Sequence, residues 1–206
     1  MKSNITIEDI KGLACENEYK DGYHIGLNGK DYVEYGLSIE REFGEEIYRR
    51  VIEKKPDLIL ELGTANGYST CWFLLGILMN EKGSIVTVDW KDRQPKVWDQ
   101  LRMDTNKLEF INKDSDEFLK DFNKKADMIF LDTNHRSEAV MKDLRKIIPI
   151  LNFGSIVFIH DIYVEPEMWA DVKTYGSDIF DFEEINKSCG LGIATYKGGV
   201  NDASLN

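Results

Sequence analysis

The stretch "LELGTANGYST", residues 60–70, places two glycines and several small polar residues at the end of a buried apolar run. The residues before it, 58–60, are typical of a strand, and "CWFLLGILM" at 71–79 is typical of a helix. A helix that begins at such a turn, here through Gly63 and Gly67, presents free backbone N–H groups at its N-terminus. The turn therefore predicts a site for an anionic or polar ligand.

Short apolar segments alternate with helical patterns along the chain. Several of these segments are apolar almost throughout, as in strands that are buried on both faces. The predicted strands are 57–62, 83–89, 108–112, 126–132 and 154–161. Two apolar stripes predict helices between them; these are Ile39, Phe43, Ile47 and Val51, and then Ala139, Val140, Leu144 and Ile147. The segment 179–198 adds two strand-like pieces that are joined through Cys189 and Gly190.

This alternation predicts an α/β fold, a Rossmann-like three-layer sandwich with a mostly parallel seven-stranded sheet and an antiparallel edge strand. We expect a single domain over residues 37–198, followed by a flexible tail at 199–206. Residues 1–36 are rich in Tyr, Gly and Asn and fit the domain less well. We interpret them as an N-terminal cap or lid, or as an arm that supports a homodimer.

The composition favours a small molecule or a protein as the partner. The chain has 206 residues and a net charge of −11, with no dense run of Lys and Arg, which excludes a wide nucleic-acid footprint. Its longest apolar run, near 71–79, is shorter than the roughly 20 residues that span a bilayer, so no membrane partner is expected. The N-terminus has no signal-peptide pattern, and the three cysteines have no paired spacing. These features predict a cytoplasmic protein with reduced thiols.

The glycine turn and the next predicted strand narrow the choice of ligand. Residues 61–67 have the spacing E-x-G-x-x-x-G, which is wider than the G-x-G-x-x-G of dinucleotide sites, and no Walker lysine follows. Asp89 ends the next strand in "IVTVDW", where a carboxylate can accept both hydroxyl groups of a ribose. The two features together indicate a nucleoside without a diphosphate.

These segments resemble the motifs of class I S-adenosylmethionine (SAM)-dependent methyltransferases. "LELGTANGYST" resembles their first motif, "VTVDW" the second, and "INKDSDEFL" (111–119) the segment that contacts adenine. The resemblance covers roughly residues 37–198 and is greatest to small-molecule O-methyltransferases of the macrocin-type sugar methyltransferase and cephalosporin-hydroxylase-like group. "FLDTNHRSEAVMKDL" (130–144) and "SIVFIHDIY" (155–163) carry this narrower match.

The resemblance implies a SAM-dependent enzyme that methylates an oxygen of a small hydroxylated acceptor. The cofactor-binding residues that it implies are Glu61, Gly63, Thr64, Gly67, Ser69, Asp89, Trp90, Asp114, Ser115 and Asp132. Trp90 is open to two interpretations, a ring packed on the adenine or a core residue. Two other functions also stay open. One is a nicotinamide-dependent oxidoreductase of the same fold, which the missing third glycine disfavours, and the other is a non-catalytic SAM-binding protein.

Four chemically active side chains follow the predicted fourth and fifth strands of the domain. In the expected topology Asp132, His135, His160 and Asp161 converge beside the glycine turn. Two carboxylates there suit a divalent cation such as Mg²⁺ or Mn²⁺, with Asp132, Asp161 and His160 as metal ligands. His160 is equally well explained as a buried histidine that joins a strand to a helix. His135 lies three residues after Asp132, as the general base does in the sugar methyltransferases, and Asp143 is interpreted as structural.

Overall fold

The computed structural model describes residues 5–14, 17–20, 23–26, 39–92, 95, 97–165 and 167–199. The first of these form helix α1 (Ile7–Ala14) and an antiparallel pair of short strands, β1 (Asn17–Lys20) and β2 (Tyr23–Gly26). The structure describes half of the predicted N-terminal cap and only residue 199 of the predicted C-terminal tail, so both stay predictions.

A seven-stranded sheet forms the centre of the protein. Its strands are β3 (Leu58–Leu62), β4 (Ser84–Asp89), β5 (Leu108–Asn112), β6 (Ala126–Leu131), β7 (Leu151–His160), β8 (Phe180–Ile185) and β9 (Leu191–Tyr196). They lie in the order β5-β4-β3-β6-β7-β9-β8, and the first five are parallel. The strand order reverses between β3 and β6, and ligands of open α/β sheets bind at such a point.

The hairpin of β8 and β9 closes one side of the sheet. β9 is the strand that runs antiparallel to both of its neighbours, and it lies between β7 and β8, so that β8 forms the edge. β9 has the sequence LGIATY and is almost fully buried, whereas β8, FDFEEI, has one buried residue and is otherwise half-buried or exposed. The more apolar strand takes the inner position because an inner strand is covered on both faces and an edge strand is not. The predicted antiparallel pair is confirmed, with this order of its two strands.

Helices cover both faces of the sheet, as the sequence predicts. They are α2 (Arg41–Lys54), α3 (Tyr68–Asn80), α4 (Val97–Gln100), α5 (Ser115–Asp121), α6 (Ser137–Ile147) and α7 (Met168–Gly176). Phe43, Ile47 and Val51 of α2 belong to one buried cluster together with α3, while Val140 and Leu144 of α6 belong to a second cluster. The three-layer Rossmann-like sandwich is therefore confirmed. Among the described residues, no helix is both long enough and apolar enough to cross a membrane.

Candidate active site

A cavity of about 850 Å³ lies at the carboxyl ends of the parallel strands. Its walls come from the residues that follow β3, β4, β5, β6 and β7 and from the first turns of α5 and α6. The lining residues are Gly63, Ala65, Val88, Asp89, Trp90, Lys91, Asp114, Ser115, Asp116, Asp132, Thr133, Asn134, His135, Ala139, Lys142, Asp143 and Asp161. The cavity thus includes the point at which the strand order reverses.

Gly63 allows the glycine turn to lie directly against the residue that follows β6. Its φ angle is +99°, and a Cβ atom there would lie 2.0 Å from the backbone oxygen of Asp132. The backbone N–H of Gly63 donates to the oxygen of Val88 at 2.9 Å, and that of Asp132 donates to the oxygen of Leu62 at 2.9 Å. Only glycine adopts this conformation without strain and without a collision. The turn therefore joins the ends of β3, β4 and β6.

Glu61 lies beneath the cavity in a cage of hydroxyl groups. The side chain is fully buried, and its carboxylate accepts hydrogen bonds from Ser69 at 2.6 Å, Thr70 at 2.6 Å and Thr87 at 2.5 Å. Burial raises the pKa of Glu61 to about 7, although the three hydroxyl groups act against this shift. Thr64 shares a hydrogen bond of 2.6 Å with Thr87. This network holds the glycine turn from below.

Four of the predicted cofactor contacts do not line the cavity and stay predictions. Glu61, Thr64 and Ser69 are fully buried with partners of their own, and Gly67 packs against Pro95 and Trp98, so none of the four lines the cavity. Thr70 and Thr87 were missed by the sequence interpretation, because a threonine on a helix or strand gives no sign of which distant carboxylate it meets.

Asp89 is placed as predicted, at the end of β4 and in the cavity wall. Its side chain is held by two backbone amides: Ala65 N–H donates to Oδ2 at 2.7 Å and Lys91 N–H donates to Oδ1 at 2.8 Å. A carboxylate has about four lone-pair positions, so each oxygen can accept a further hydrogen bond. The side chain is therefore oriented in advance and still able to bind a diol.

Trp90 and the start of α5 form the outer part of the cavity. Trp90 is 72% exposed, which excludes the core interpretation of this residue, and Lys91 Nζ lies 5.5 Å from its ring centre. Asp114 is the N-cap of α5, and its Oδ1 accepts from the N–H groups of Asp116 at 2.9 Å and Glu117 at 3.3 Å. Ser115 follows in the cavity wall, as predicted.

The opposite end of the cavity brings together Asp132, His135 and Asp161. His135 Nδ1 lies 3.0 Å from Asp161 Oδ2 and 4.0 Å from Asp132 Oδ1. One ligand atom from each of the three residues lies within 4.8 Å of the others, which is close enough for a shared cation. The predicted convergence of these strand ends is confirmed, because β6 pairs with β3 and β7 pairs with β6.

His160 lies behind this group and is only 5% exposed. Its Nδ1 is 3.1 Å from Asp132 Oδ1, and its Nε2 is 3.3 Å from Glu40 Oε2. Burial alone would lower the pKa of His160, but Asp132, Glu40 and Asp161 outweigh it and raise this pKa to about 10. Carboxylates only accept hydrogen bonds, so both ring nitrogens act as donors in an imidazolium.

The group of side chains that could share a cation does not include His160, whose two nitrogens both lie against carboxylates, so its predicted role as a metal ligand stays a prediction that the geometry does not favour. The histidine that shares the group with Asp132 and Asp161 is His135. His160 instead joins the end of β7 to Glu40, the N-cap residue of α2. Nothing in the local sequence distinguishes Glu40 from its acidic neighbours, so sequence reasoning missed it.

Asp143 also differs from its predicted place. It is 6% exposed, lies on α6 and faces the cavity, although the sequence suggested a purely structural residue. Thr133 Oγ1 donates to Asp143 Oδ2 at 2.9 Å, and burial raises the pKa of the Asp143 carboxyl. Ala139, one turn earlier, lines the cavity as well and does not belong to the buried core.

The fold and the cavity define an α/β domain that binds its ligand where the strand order reverses. A family model described as a methyltransferase domain matches residues 60–162, from the start of the glycine turn to just beyond Asp161. The match spans half of the chain, and the chain belongs to this family of methyltransferase domains. The resemblance to methyltransferases is thereby confirmed. Comparison with curated proteins finds no similar sequence.

Solved structures with the same fold are numerous. A methyltransferase from Podospora anserina with bound SAH has a TM-score of 0.64 and 16% identity, over 78% of this chain and 80% of that one. The O-methyltransferase TomG from Streptomyces achromogenes, in complex with SAM, has a TM-score of 0.64 and 14% identity, over 93% and 89%. An O-methyltransferase from Bacillus cereus in complex with SAH has a TM-score of 0.62 and 15% identity, over 93% and 90%. At these identities the likeness concerns the fold.

Proposed function

We propose that this chain is a SAM-dependent methyltransferase that transfers a methyl group to an oxygen atom of a small hydroxylated acceptor. The observation that carries the proposal is one continuous cavity with two different ends. At one end Asp89 offers a carboxylate that is already held by two backbone amides. At the other end His135 and Asp161 form a close histidine–carboxylate pair. The end with Asp89 suits a ribose, and the end with His135 suits removal of a proton from the acceptor hydroxyl.

The nucleoside end is assigned by the contacts around Asp89. Its two oxygens can accept the ribose hydroxyl groups, as an acidic residue at this position does in nucleotide-binding α/β folds. The exposed ring of Trp90 and the start of α5, with Asp114 and Ser115, then lie beside the base. Gly63 lines the same cavity, where the glycine turn lies against Asp132. When bound, SAM supplies an electrophilic methyl group on its sulfonium.

His135 is the proposed general base. Its Nδ1 lies 3.0 Å from Asp161 Oδ2, which favours the tautomer whose Nδ1–H faces the carboxylate. This tautomer leaves the lone pair of Nε2 free to take the proton of the acceptor hydroxyl, as an aspartate orients the histidine of a catalytic triad. The deprotonated oxygen is then the nucleophile, and alignment of the two reactants supplies the rest of the acceleration.

A divalent cation is the second candidate for this end of the cavity, because the oxygens of Asp132 and Asp161 and a nitrogen of His135 lie close enough to share one. Two carboxylates suit Mg²⁺, while the addition of an imidazole favours Mn²⁺ or Zn²⁺. A cation there would lower the pKa of an acceptor hydroxyl. Both arrangements use His135 Nδ1, which faces Asp161 in the first and binds the cation in the second. Removal of metal should therefore affect turnover only in the second arrangement.

Removal of metal distinguishes these two arrangements. We expect turnover to be unchanged in EDTA, since the His160 imidazolium already places a positive charge beside Asp132 and Asp161. The measurement is SAH release on a confirmed acceptor, with and without EDTA. Loss of turnover in EDTA and its recovery with Mn²⁺, but not with Na⁺, would assign Asp132, His135 and Asp161 to a metal centre.

The proposed function is tested by cofactor binding. Isothermal calorimetry should show that SAH binds, and that Asp89→Ala lowers its affinity by about one to two decades, since hydrogen bonds to a charged group contribute about 1.5–3 kcal/mol. Asp57→Ala is the matched control, because Asp57 is exposed and immediately precedes β3, at the opposite end of the sheet. A wild-type protein that binds NADH but not SAH would favour the oxidoreductase, and unchanged SAH affinity in Asp89→Ala would remove the ribose assignment.

A further inference from the structure

Asp143 is a buried carboxylate whose acceptor capacity is largely unused. Thr133 Oγ1 is the one hydrogen-bond donor to it in the described part of the chain, and this donor reaches Oδ2. Asp143 Oδ1 has no hydrogen-bond partner among the described residues, and it is not fully enclosed, although the residue as a whole is only 6% exposed. Since Asp143 lines the cavity, Oδ1 faces into it. A buried carboxylate in such a place is stabilised when a ligand donates to it.

The neighbouring lysines do not form an ion pair with Asp143. Lys142 Nζ lies 3.0 Å from Asp116 Oδ2, and Lys146 also binds Asp116. Burial raises the pKa of the Asp143 carboxyl, and Thr133 and the two lysines compensate only in part. The cavity side of Asp143 is thus left for a group that carries a hydrogen-bond donor.

The position of Asp143 places that group at the nucleoside end of the cavity. Asp143 lies in the second turn of α6, and its neighbours on this helix bind α5. Lys142 and Lys146 connect this part of α6 to Asp116 in the first turn of α5, next to Asp114 and Ser115. When the ribose of a nucleoside binds Asp89, its base lies toward the start of α5 and the facing part of α6.

We propose that Asp143 accepts a hydrogen bond from the 6-amino group of adenine and thereby selects adenine over a 6-oxopurine in the cofactor. The proposal rests on the proposed function, since it takes the nucleoside to be that of SAM. Asp114, which the sequence suggested for contact with adenine, caps α5 with Oδ1 and keeps Oδ2 open, so it is the rival acceptor that the test separates from Asp143. Asp143 Oδ1 accepts from no group of the described residues, and Thr133 fixes the orientation of the carboxylate through Oδ2.

The test compares the affinities for S-adenosylhomocysteine and S-inosylhomocysteine; in the second, an oxo group replaces the 6-amino group and N1 carries a hydrogen. By calorimetry the wild type should prefer the adenosyl compound by about 10- to 100-fold, because a 6-oxo group offers a lone pair to the carboxylate in place of a donor. Asp143→Asn should bring this preference close to one, since an amide can either accept from an amino group or donate to an oxo group. Thr133→Val should reduce the preference less, because it removes only the hydroxyl that orients Asp143.

Asp181→Asn is the matched control, because Asp181 is an exposed carboxylate of β8 that does not line the cavity and the change in charge is the same. It should leave the preference unchanged. Asp114→Asn tests the other carboxylate near the base, since asparagine caps a helix as well as aspartate does. A preference that persists in Asp143→Asn and Thr133→Val, or one that is lost in Asp114→Asn and kept in Asp143→Asn, overturns the proposal while the proposed function stands. A wild-type protein that binds neither compound overturns both. Melting curves accompany each variant, and if Asp143→Asn fails to fold, Thr133→Val decides alone.

Discussion

Replacement of His135 by alanine is expected to lower kcat by about 10²- to 10⁴-fold, which is the range attributed to general acid–base catalysis. The reason is the proximity of His135 Nδ1 to Asp161 Oδ2, 3.0 Å apart, which favours the tautomer that leaves Nε2 free for the acceptor proton. The measurement is SAH release on an acceptor that the wild type methylates. Asp161→Asn should also lower kcat, because it removes the carboxylate that selects the tautomer of His135.

The affinity for SAH should stay near the wild-type value in His135→Ala, since the nucleoside is placed against Asp89 and the start of α5. This difference separates a defect in chemistry from a defect in binding. Arg136→Ala is the control variant on the same loop, because Arg136 is exposed and is not among the cavity-lining residues. Near-normal turnover in His135→Ala would contradict the base role and leave alignment, or a cation, as the source of the acceleration.

Replacement of His160 by alanine is expected to destabilise the fold by about 3–5 kcal/mol, the range for removing one partner of a buried ion pair. The imidazolium lies 3.1 Å from Asp132, 3.3 Å from Glu40 and 3.4 Å from Asp161, so its loss leaves three carboxylates without their shared cation. Urea unfolding at neutral pH measures the change in the free energy of unfolding. His135→Ala is the matched control, since the half-buried His135 at the cavity surface should affect this free energy far less.

Glu40→Gln provides a second check on the same group. Burial opposes ionisation of Glu40, but His160 holds its pKa below the usual value, so the carboxylate is charged beside the imidazolium. In the background of His160→Ala, the change to glutamine removes one of the three uncompensated charges. The double variant should therefore be more stable than additivity predicts, by about 0.5–3 kcal/mol. Strict additivity, or a cost below about 1 kcal/mol for His160→Ala, would contradict this account of the group.

The sheet and its helices could be predicted closely from the sequence. Buried parallel strands are apolar on both faces and surface helices are apolar on one, and both patterns are local in the chain. The position of β9 inside β8 was not predicted. Either strand could pair with β7. The order is decided by which of them, LGIATY or FDFEEI, gains more free energy from burial there, and that depends on the tertiary structure.

The location of the site was also predictable, because parallel strands end at one edge and the residues that follow them meet there. Asp89, Asp132, His135 and Asp161 all follow strands and all line the cavity. The roles of residues outside the strand ends were harder to predict. Ser69 and Glu61 looked like cofactor contacts and are buried partners of one another, whereas Asp143 looked structural and faces the cavity.

The sequence by itself thus determined the order of elements, the edge at which the ligand binds and the acidic and basic groups at that edge, since each depends on local periodicity and on the ends of strands. Only the tertiary structure decided which polar groups bind one another. Glu40 meets His160 across 120 residues of chain, and Thr87 meets Glu61 across 26. A buried carboxylate that bonds a hydroxyl or imidazolium from a distant part of the sequence already has its partner. A buried carboxylate without such a partner is available to a ligand. Burial and contact over such separations are properties of the packed chain and leave no periodic pattern in the sequence.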